Sequence, residues 1–189
     1  MFRKIPFETS TEILNRFDLS EESVALVTPD MAPFTVIEAL DKASALPDLV
    51  NFIGHALPPR EGICWVLAVT NDLNPNLRGG VTDLVSAWVR EPQEGTRQKL
   101  MKHMETMKSD TPLYWLSAAV AWNGSGGIGA PEGPVVLPPA WLHAKALLGT
   151  IALQMGQDEE EVDRARAVAL IRGIEVANGG WPTVSENTG

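Results

Sequence analysis

Thr111-Pro112-Leu113-Tyr114-Trp115-Leu116-Ser117-Ala118-Ala119-Val120-Ala121-Trp122 is apolar on nearly every side of a helix. Thr111 offers a capping oxygen, and Pro112 suits a first helical position, where the N–H has no intrahelical partner anyway. Beyond them Leu113, Leu116 and Val120 fall on one face, and Trp115, Ala119 and Trp122 on another. A helix without a polar face must be enclosed by others. This stretch therefore predicts the central, most buried helix of an all-α fold.

Helical periodicity continues on both sides, and strand-like alternation is scarce. Upstream, helices are predicted at residues 10–18 and 20–27, the second with Ser20 as N-cap and Glu21 and Glu22 in its first turn. Pro33 opens a helix with Val36, Ile37 and Leu40 inward, and Pro47 opens one with Leu49, Val50, Ile53 and Leu57 inward. Pro58-Pro59 interrupts the latter before residues 60–70 resume. Residues 71–80 form a polar turn, 81–90 a helix, and Pro92 starts another. Downstream, residues 123–139 are a long break holding Gly124, Gly126, Gly127, Gly129, Pro131, Pro134, Pro138 and Pro139. Trp141, Ala144, Leu148, Ile151 and Met155 then repeat at helical spacing. The last helix runs over 159–177 and ends at Asn178-Gly179-Gly180, a strong C-cap signal. The expectation is about eight or nine helices, joined as antiparallel hairpins into an irregular bundle or a short solenoid. Residues 1–182 read as one domain and 183–189 as a flexible tail.

A chain of 189 residues with 44% hydrophobic and 21% charged residues has enough apolar sequence for one sizeable core. Its net charge of −9 argues against nucleic acid and anionic membrane surfaces, which require a basic footprint. Cys64 is the only cysteine, so neither an intrachain disulfide nor a cysteine-based zinc site is open to it. Two basic residues near Met1 precede no apolar signal region, and no segment has transmembrane length. A cytoplasmic protein is the expectation.

Gly124-Ser125-Gly126-Gly127-Ile128-Gly129 matches the dinucleotide pattern in letters only, because it leaves a helix instead of joining a strand to one. No Lys-Ser or Lys-Thr follows it, so it is no P-loop either. His55, Arg60 and Glu61 form the most concentrated polar set beside apolar sequence. As chemistry, His55 would be an acid–base group oriented by Glu61. As structure, His55 is satisfied near the core while Arg60 and Glu61 tie down a helix start, and the missing nucleophile favours that second reading. His103 and His143 stand alone on helices without ligand spacing, Cys64 sits in an apolar run, and the acids from Asp158 to Asp163 lack calcium-loop spacing. No catalytic residue, metal or cofactor is expected. Six tryptophans accompany one tyrosine, and Trp141 and Trp181 are the two most open to a partner surface.

Several motifs recur in an order that resembles an uncharacterised bacterial family known only as a domain of unknown function. They are residues 54–61 with Cys64-Trp65, Ala87-Trp88-Val89-Arg90-Glu91-Pro92 with Arg97, residues 115–127 with Pro131 to Pro139, residues 145–151 and residues 173–179. The likeness spans roughly residues 40–180. It implies a place beside spike, tip and adaptor proteins of type VI secretion, and it carries over no catalytic residues. The expected function is that of a non-enzymatic cytoplasmic accessory protein, an adaptor or chaperone that binds a protein partner such as an effector or spike. Gly126, Gly127, Pro131, Pro138, Pro139 and Trp141 are the candidate partner-binding residues, since loops this long are commonly functional. The alternatives are an enzyme with a site near His55, Arg60 and Glu61, or an immunity protein whose acidic surface occludes a basic toxin. Partner identity, binding face and oligomeric state are not written in the sequence.

Overall fold

Proline and capping oxygens set most of the helix starts. The computed structural model describes residues 1–129 and 133–183. Its elements are α1 (Thr11–Leu14), α2 (Glu21–Val24), α3 (Pro33–Lys42), α4 (Leu46–Ala56), α5 (Pro59–Leu73), a 3-10 turn (Pro75–Leu77), α6 (Val81–Arg90), α7 (Glu94–Thr106), α8 (Pro112–Ala121), α9 (Leu142–Ala152) and α10 (Glu159–Ala177). The fold is all-α: eight of these ten helices have at least ten residues, and no strand occurs among the described residues. Pro33, Pro47, Pro59 and Pro112 occupy first or second helical positions. Ser20, Thr111 and Asp158 accept from the backbone N–H three residues on, which satisfies one orphan donor at each start.

The predicted boundaries need two adjustments. The first two helices are single turns, and α7 begins at Glu94 instead of Pro92, because Gln93 is extended (φ −124°, ψ 137°) and serves as the N-cap. At the far end of α10 the N–H groups of Gly180 and Gly179 bond to the carbonyls of Glu175 and Val176. With Gly179 at φ +97°, this is the Schellman closure that Asn178-Gly179-Gly180 predicts.

Residue for residue α4 is the most enclosed helix, with nine of its eleven residues buried, and the longest unbroken buried run belongs to α5 and not α8. Nine consecutive residues of α5, Gly62 through Thr70, are buried, whereas α8 is buried only from Leu116 to Ala121. The first turn of α8 stays half-buried because Trp115 turns its indole N–H outward to the Ser109 carbonyl at 2.7 Å. Around α5 stand α6, α8, α9 and α10. Trp65 of α5 is fully buried and donates its indole N–H to the Ala169 carbonyl of α10 at 2.9 Å. Because α9 and α10 return to α4 and α5, the helices close on one core. That makes the fold an irregular bundle, since a solenoid repeat would touch only its neighbours. The inward side of α9 carries His143, Ala144, Leu147 and Ile151; Leu148 is only half-buried, and Trp141 precedes the helix.

No helix among the described residues is long and apolar enough to cross a membrane. The tail expected at 183–189 lies outside the described residues except for Thr183, whose hydroxyl is 3.4 Å from the Cys64 sulfur.

Candidate functional site

The glycine- and proline-rich loop between α8 and α9 leaves the core beside one arginine and rejoins it beside another. At its start is Arg97 of α7. It lies on the same helical face as Leu100 and Met104, three and seven positions on, so the helix carries it inward, and it is only 2% exposed. A buried guanidinium needs its donors filled. Glu94, one turn earlier, takes two of them at 2.6 Å each. Two more go to the carbonyls of Ala121, at the end of α8, and Gly127, in the loop, at 2.8 and 3.1 Å. A Cβ at Gly126 would meet the Arg97 Nη2 at 2.6 Å, so glycine lets the chain lie against this side chain.

At the other end, Trp141 adopts a left-handed backbone (φ 63°, ψ 11°), a conformation that costs an ordinary residue about 1–2 kcal/mol. The Arg16 guanidinium, just beyond α1, lies 3.8 Å from the centre of the Trp141 ring and 4.9 Å from that of Phe7. Arg16 also donates to the His55 carbonyl at 2.6 Å, which holds α1 to the end of α4. His55 stacks on Phe17, ring centres 5.1 Å apart, and both His55 and His143 face Trp141 at about 6 Å. Burial pushes both imidazoles down to about 4; His143, Arg16 and Lys145 add to this for His55, and Arg16 for His143. Both rings are therefore neutral at neutral pH.

His55 does not join Arg60 and Glu61. Pro58-Pro59 turns the chain between them, and the last two face another neighbourhood. Arg60 donates to the carbonyls of Val89 and Arg90 at 2.7 and 2.8 Å, which caps the end of α6, and lies over Trp181. Glu61 pairs with Lys4 at 2.9 Å, and Lys4 also stands over Trp181. These contacts staple the amino-terminal segment, α5, α6 and the chain after α10 together. Burial raises the Cys64 thiol, which keeps it protonated. Among the described residues no group of three or more His, Cys, Asp or Glu stands ready for a metal.

Of the candidate partner-binding residues, Gly126 and Gly127 are tied inward by Arg97, Trp141 is half-buried on Arg16, Pro138 is half-buried and Pro139 is exposed. Pro131 lies outside the described residues. The loop's apolar exposure falls between them, at Val135, Val136 and Leu137, which are 82%, 50% and 60% exposed. The Val136 carbonyl accepts from the Ile128 N–H at 2.8 Å, so the returning half of the loop is braced on the outgoing half. A cleft of about 710 Å³ runs between this loop and α7, with Met101, Met104, Trp122, Ile128 and Val135 as its apolar lining.

A family match runs from residue 36 to residue 177, which is most of the chain. The chain belongs to DUF6931, a family of unknown function. No curated protein and no solved structure matches it. The DUF6931 region begins within α3 and runs to the end of α10, taking in Arg97, the loop, Trp141 and both buried histidines, and it begins after Arg16 and Phe17. Sequence reasoning passed over Arg16 entirely and met Arg97 only as the end of a motif. For Arg97 the signal was its spacing to Leu100 and Met104. For Arg16 there was none, because the two partners that tie it to the loop end, His55 and Trp141, are 39 and 125 positions away.

Proposed function

We propose that this DUF6931 protein is a non-enzymatic accessory protein that docks a protein partner on the loop between α8 and α9. The observation that carries the reading is the run Val135-Val136-Leu137, three consecutive large apolar side chains held in solvent on a loop braced at both ends. Single exposed apolar residues are ordinary, whereas a contiguous group invites a partner. Flanking Pro134, Pro138 and Pro139 restrict the free segment, so ordering it against a partner costs less entropy. The family likeness suggests a cytoplasmic adaptor or chaperone for a type VI secretion effector or spike. An enzyme centred on His55 draws less support, since His55 is 1% exposed and separated from Arg60 and Glu61. An immunity protein for a basic toxin would need a strongly acidic surface beside its exposed apolar run, and the neighbouring α7 mixes exposed Glu94 and Glu105 with Lys99 and Lys102.

The test is affinity capture from the native host with the Val136→Asp/Leu137→Asp variant. Both positions are exposed, so the melting temperature should stay put while capture of the native partner falls at least about tenfold. Unchanged capture would sink this reading.

A further inference from the structure

The amino-terminal segment precedes the DUF6931 region and is laid across its helices as a strap. Near its start the Lys4 N–H donates to the Ala177 carbonyl at the end of α10, and Ile5 is buried. At its far end the Ser20 hydroxyl donates to the Asp48 carboxylate of α4 at 2.6 Å. Between these ties Ile13 enters the core, Arg16 reaches the His55 carbonyl and the Trp141 face, and Phe17 covers the His55 ring. Beneath the strap, His55 Nδ1 and His143 Nε2 are buried with no hydrogen-bond partner among the described residues. The charged and titratable neighbours of His55 are Arg16 from the strap and His143 and Lys145 from α9; that of His143 is Arg16. The other helices packed on α4, α3 and α10, bring no further charged group to His55. No carboxylate stands among these neighbours. Glu12 pairs with Arg16 only at 3.9 Å and is itself exposed.

We propose that residues 7–19 are an acid-released latch: protonation of His55 or His143 frees this middle part of the strap, and the loop end at Trp141 with it, while the ties at Lys4 and Ser20 keep the segment attached. The latch is independent of what the loop docks. Its sign follows from what surrounds the two rings. An imidazolium buried without an acceptor, beside Arg16 and with no carboxylate to meet it, loses its hydration and gains only repulsion. Lifting Arg16 and Phe17 restores water and removes the repulsion in one movement. That movement is local, because these two residues follow a helix of a single turn, whereas the rings sit on α4 and α9, long helices packed on each other. Trp141 favours the same outcome, since its left-handed backbone can relax once Arg16 no longer holds the ring. Burial keeps both rings at about 4 against an ordinary 6.5, so the latch is closed at neutral pH. Opening takes up protons that the closed form refuses, and the open fraction therefore grows as the pH falls through that interval.

The experiment is hydrogen exchange of the full chain, resolved by segment, from about pH 7.5 to about pH 4.5 and corrected for the intrinsic pH dependence of exchange. Protection of residues 7–19 and of Trp141 should fall by about ten- to a hundredfold per pH unit below about 6.5, a factor of ten for each proton taken up. Residues 62–70 of α5 should keep theirs. Equal loss in residues 62–70 would mean general acid unfolding, and full protection of the strap at the acid end would mean that no latch exists; either result overturns the proposal. Lys145 is exposed, so Lys145→Glu should fold normally. It sets a carboxylate near His55 and favours the charged ring in the closed form, so the protection lost by the acid end should shrink at least about threefold. An unchanged loss in that variant would overturn the proposal, because a merely structural strap has no reason to sense Lys145. His55→Gln/His143→Gln should abolish the pH dependence of residues 7–19, and a dependence that persists there would also overturn it. If the double variant fails to fold, Lys145→Glu decides alone.

Discussion

Arg97 and Arg16 fasten the two ends of one loop by opposite physics. Arg97 is enclosed and answered in kind: a carboxylate and two backbone carbonyls take its donors in fixed geometry. Arg16 has one short hydrogen bond, to the His55 carbonyl, and a carboxylate only at 3.9 Å, the 72% exposed Glu12. The rest of its charge is met by the faces of Trp141 and Phe7. A hydrogen-bonded buried charge holds its backbone partners at every ordinary pH, because the guanidinium stays protonated. A cation on an aromatic face beside two neutral imidazoles holds only while those imidazoles remain neutral. The loop thus has a permanent anchor at Gly127 and a conditional one at Trp141.

The largest expected effect comes from the permanent anchor. Arg97→Ala strands the Ala121 and Gly127 carbonyls and should cost about 2–4 kcal/mol, since hydrogen bonds to charged groups contribute about 1.5–3 kcal/mol each. Urea unfolding measures it, and a loss under about 1 kcal/mol would mean that Arg97 is a passenger.

Acid should act on the other end. His55 and His143 bind protons in the unfolded chain near pH 6.5 and in the folded chain only near 4, so unfolding takes up protons between those values. Stability is then intact above about pH 6.5 and falls as the pH drops toward 4. Each histidine accounts for at most about 1.4 kcal/mol per pH unit. The pair should lose about 2–3 kcal/mol in all, because the first proton, set beside Arg16 and Lys145, opens the site to water before the second binds. Carboxylates also titrate at the lower end, so the readout is the difference from His55→Gln/His143→Gln. Equal pH slopes in the two proteins would remove the conditional anchor. Hydrogen exchange at pH 5 should quicken first around Trp141 while Gly127 stays protected, and the reverse order would invert the comparison.

Gly126→Ala pushes a methyl into the Arg97 guanidinium and should cost about 1–3 kcal/mol, with faster exchange at Gly127 and none at Trp141. Smallest should be Arg60→Ala, about 1 kcal/mol from the end of α6, with exchange throughout the loop unchanged. Loop exchange that follows Arg60 would mean that the two anchors are not local devices.

The legible part of this fold was written in near neighbours. Ser20 and Thr111 cap their helices as expected because a cap bond spans three residues, Asp158 does the same for α10, and Gly179-Gly180 closes α10 because a Schellman motif is complete within six. Pro58-Pro59 announced a break in the same way. The burial ranking misled because apolarity all round counts how much a helix is able to bury and not what surrounds it. Residues 112–122 are more uniformly apolar, yet α4 has the larger buried share and α5 the longer unbroken buried run.

The candidate site shows the same division. His55, Arg60 and Glu61 are close in sequence and look like one cluster, but a proline pair redirects the chain and assigns them to two neighbourhoods. Trp141, a candidate partner-binding residue, lies where the loop meets α9, and its role as an aromatic plate under Arg16 depends on a side chain 125 positions earlier. The sequence by itself determined that this chain is helical, where most helices begin and end, and that a glycine–proline loop interrupts them, because those features rest on backbone chemistry within a few residues. Tertiary structure alone decided which arginine holds which end of the loop, which helix is most enclosed, and that Val135, Val136 and Leu137 stand in solvent beside a methionine wall. Those outcomes depend on contacts between elements far apart in the chain, whose closure no local pattern encodes.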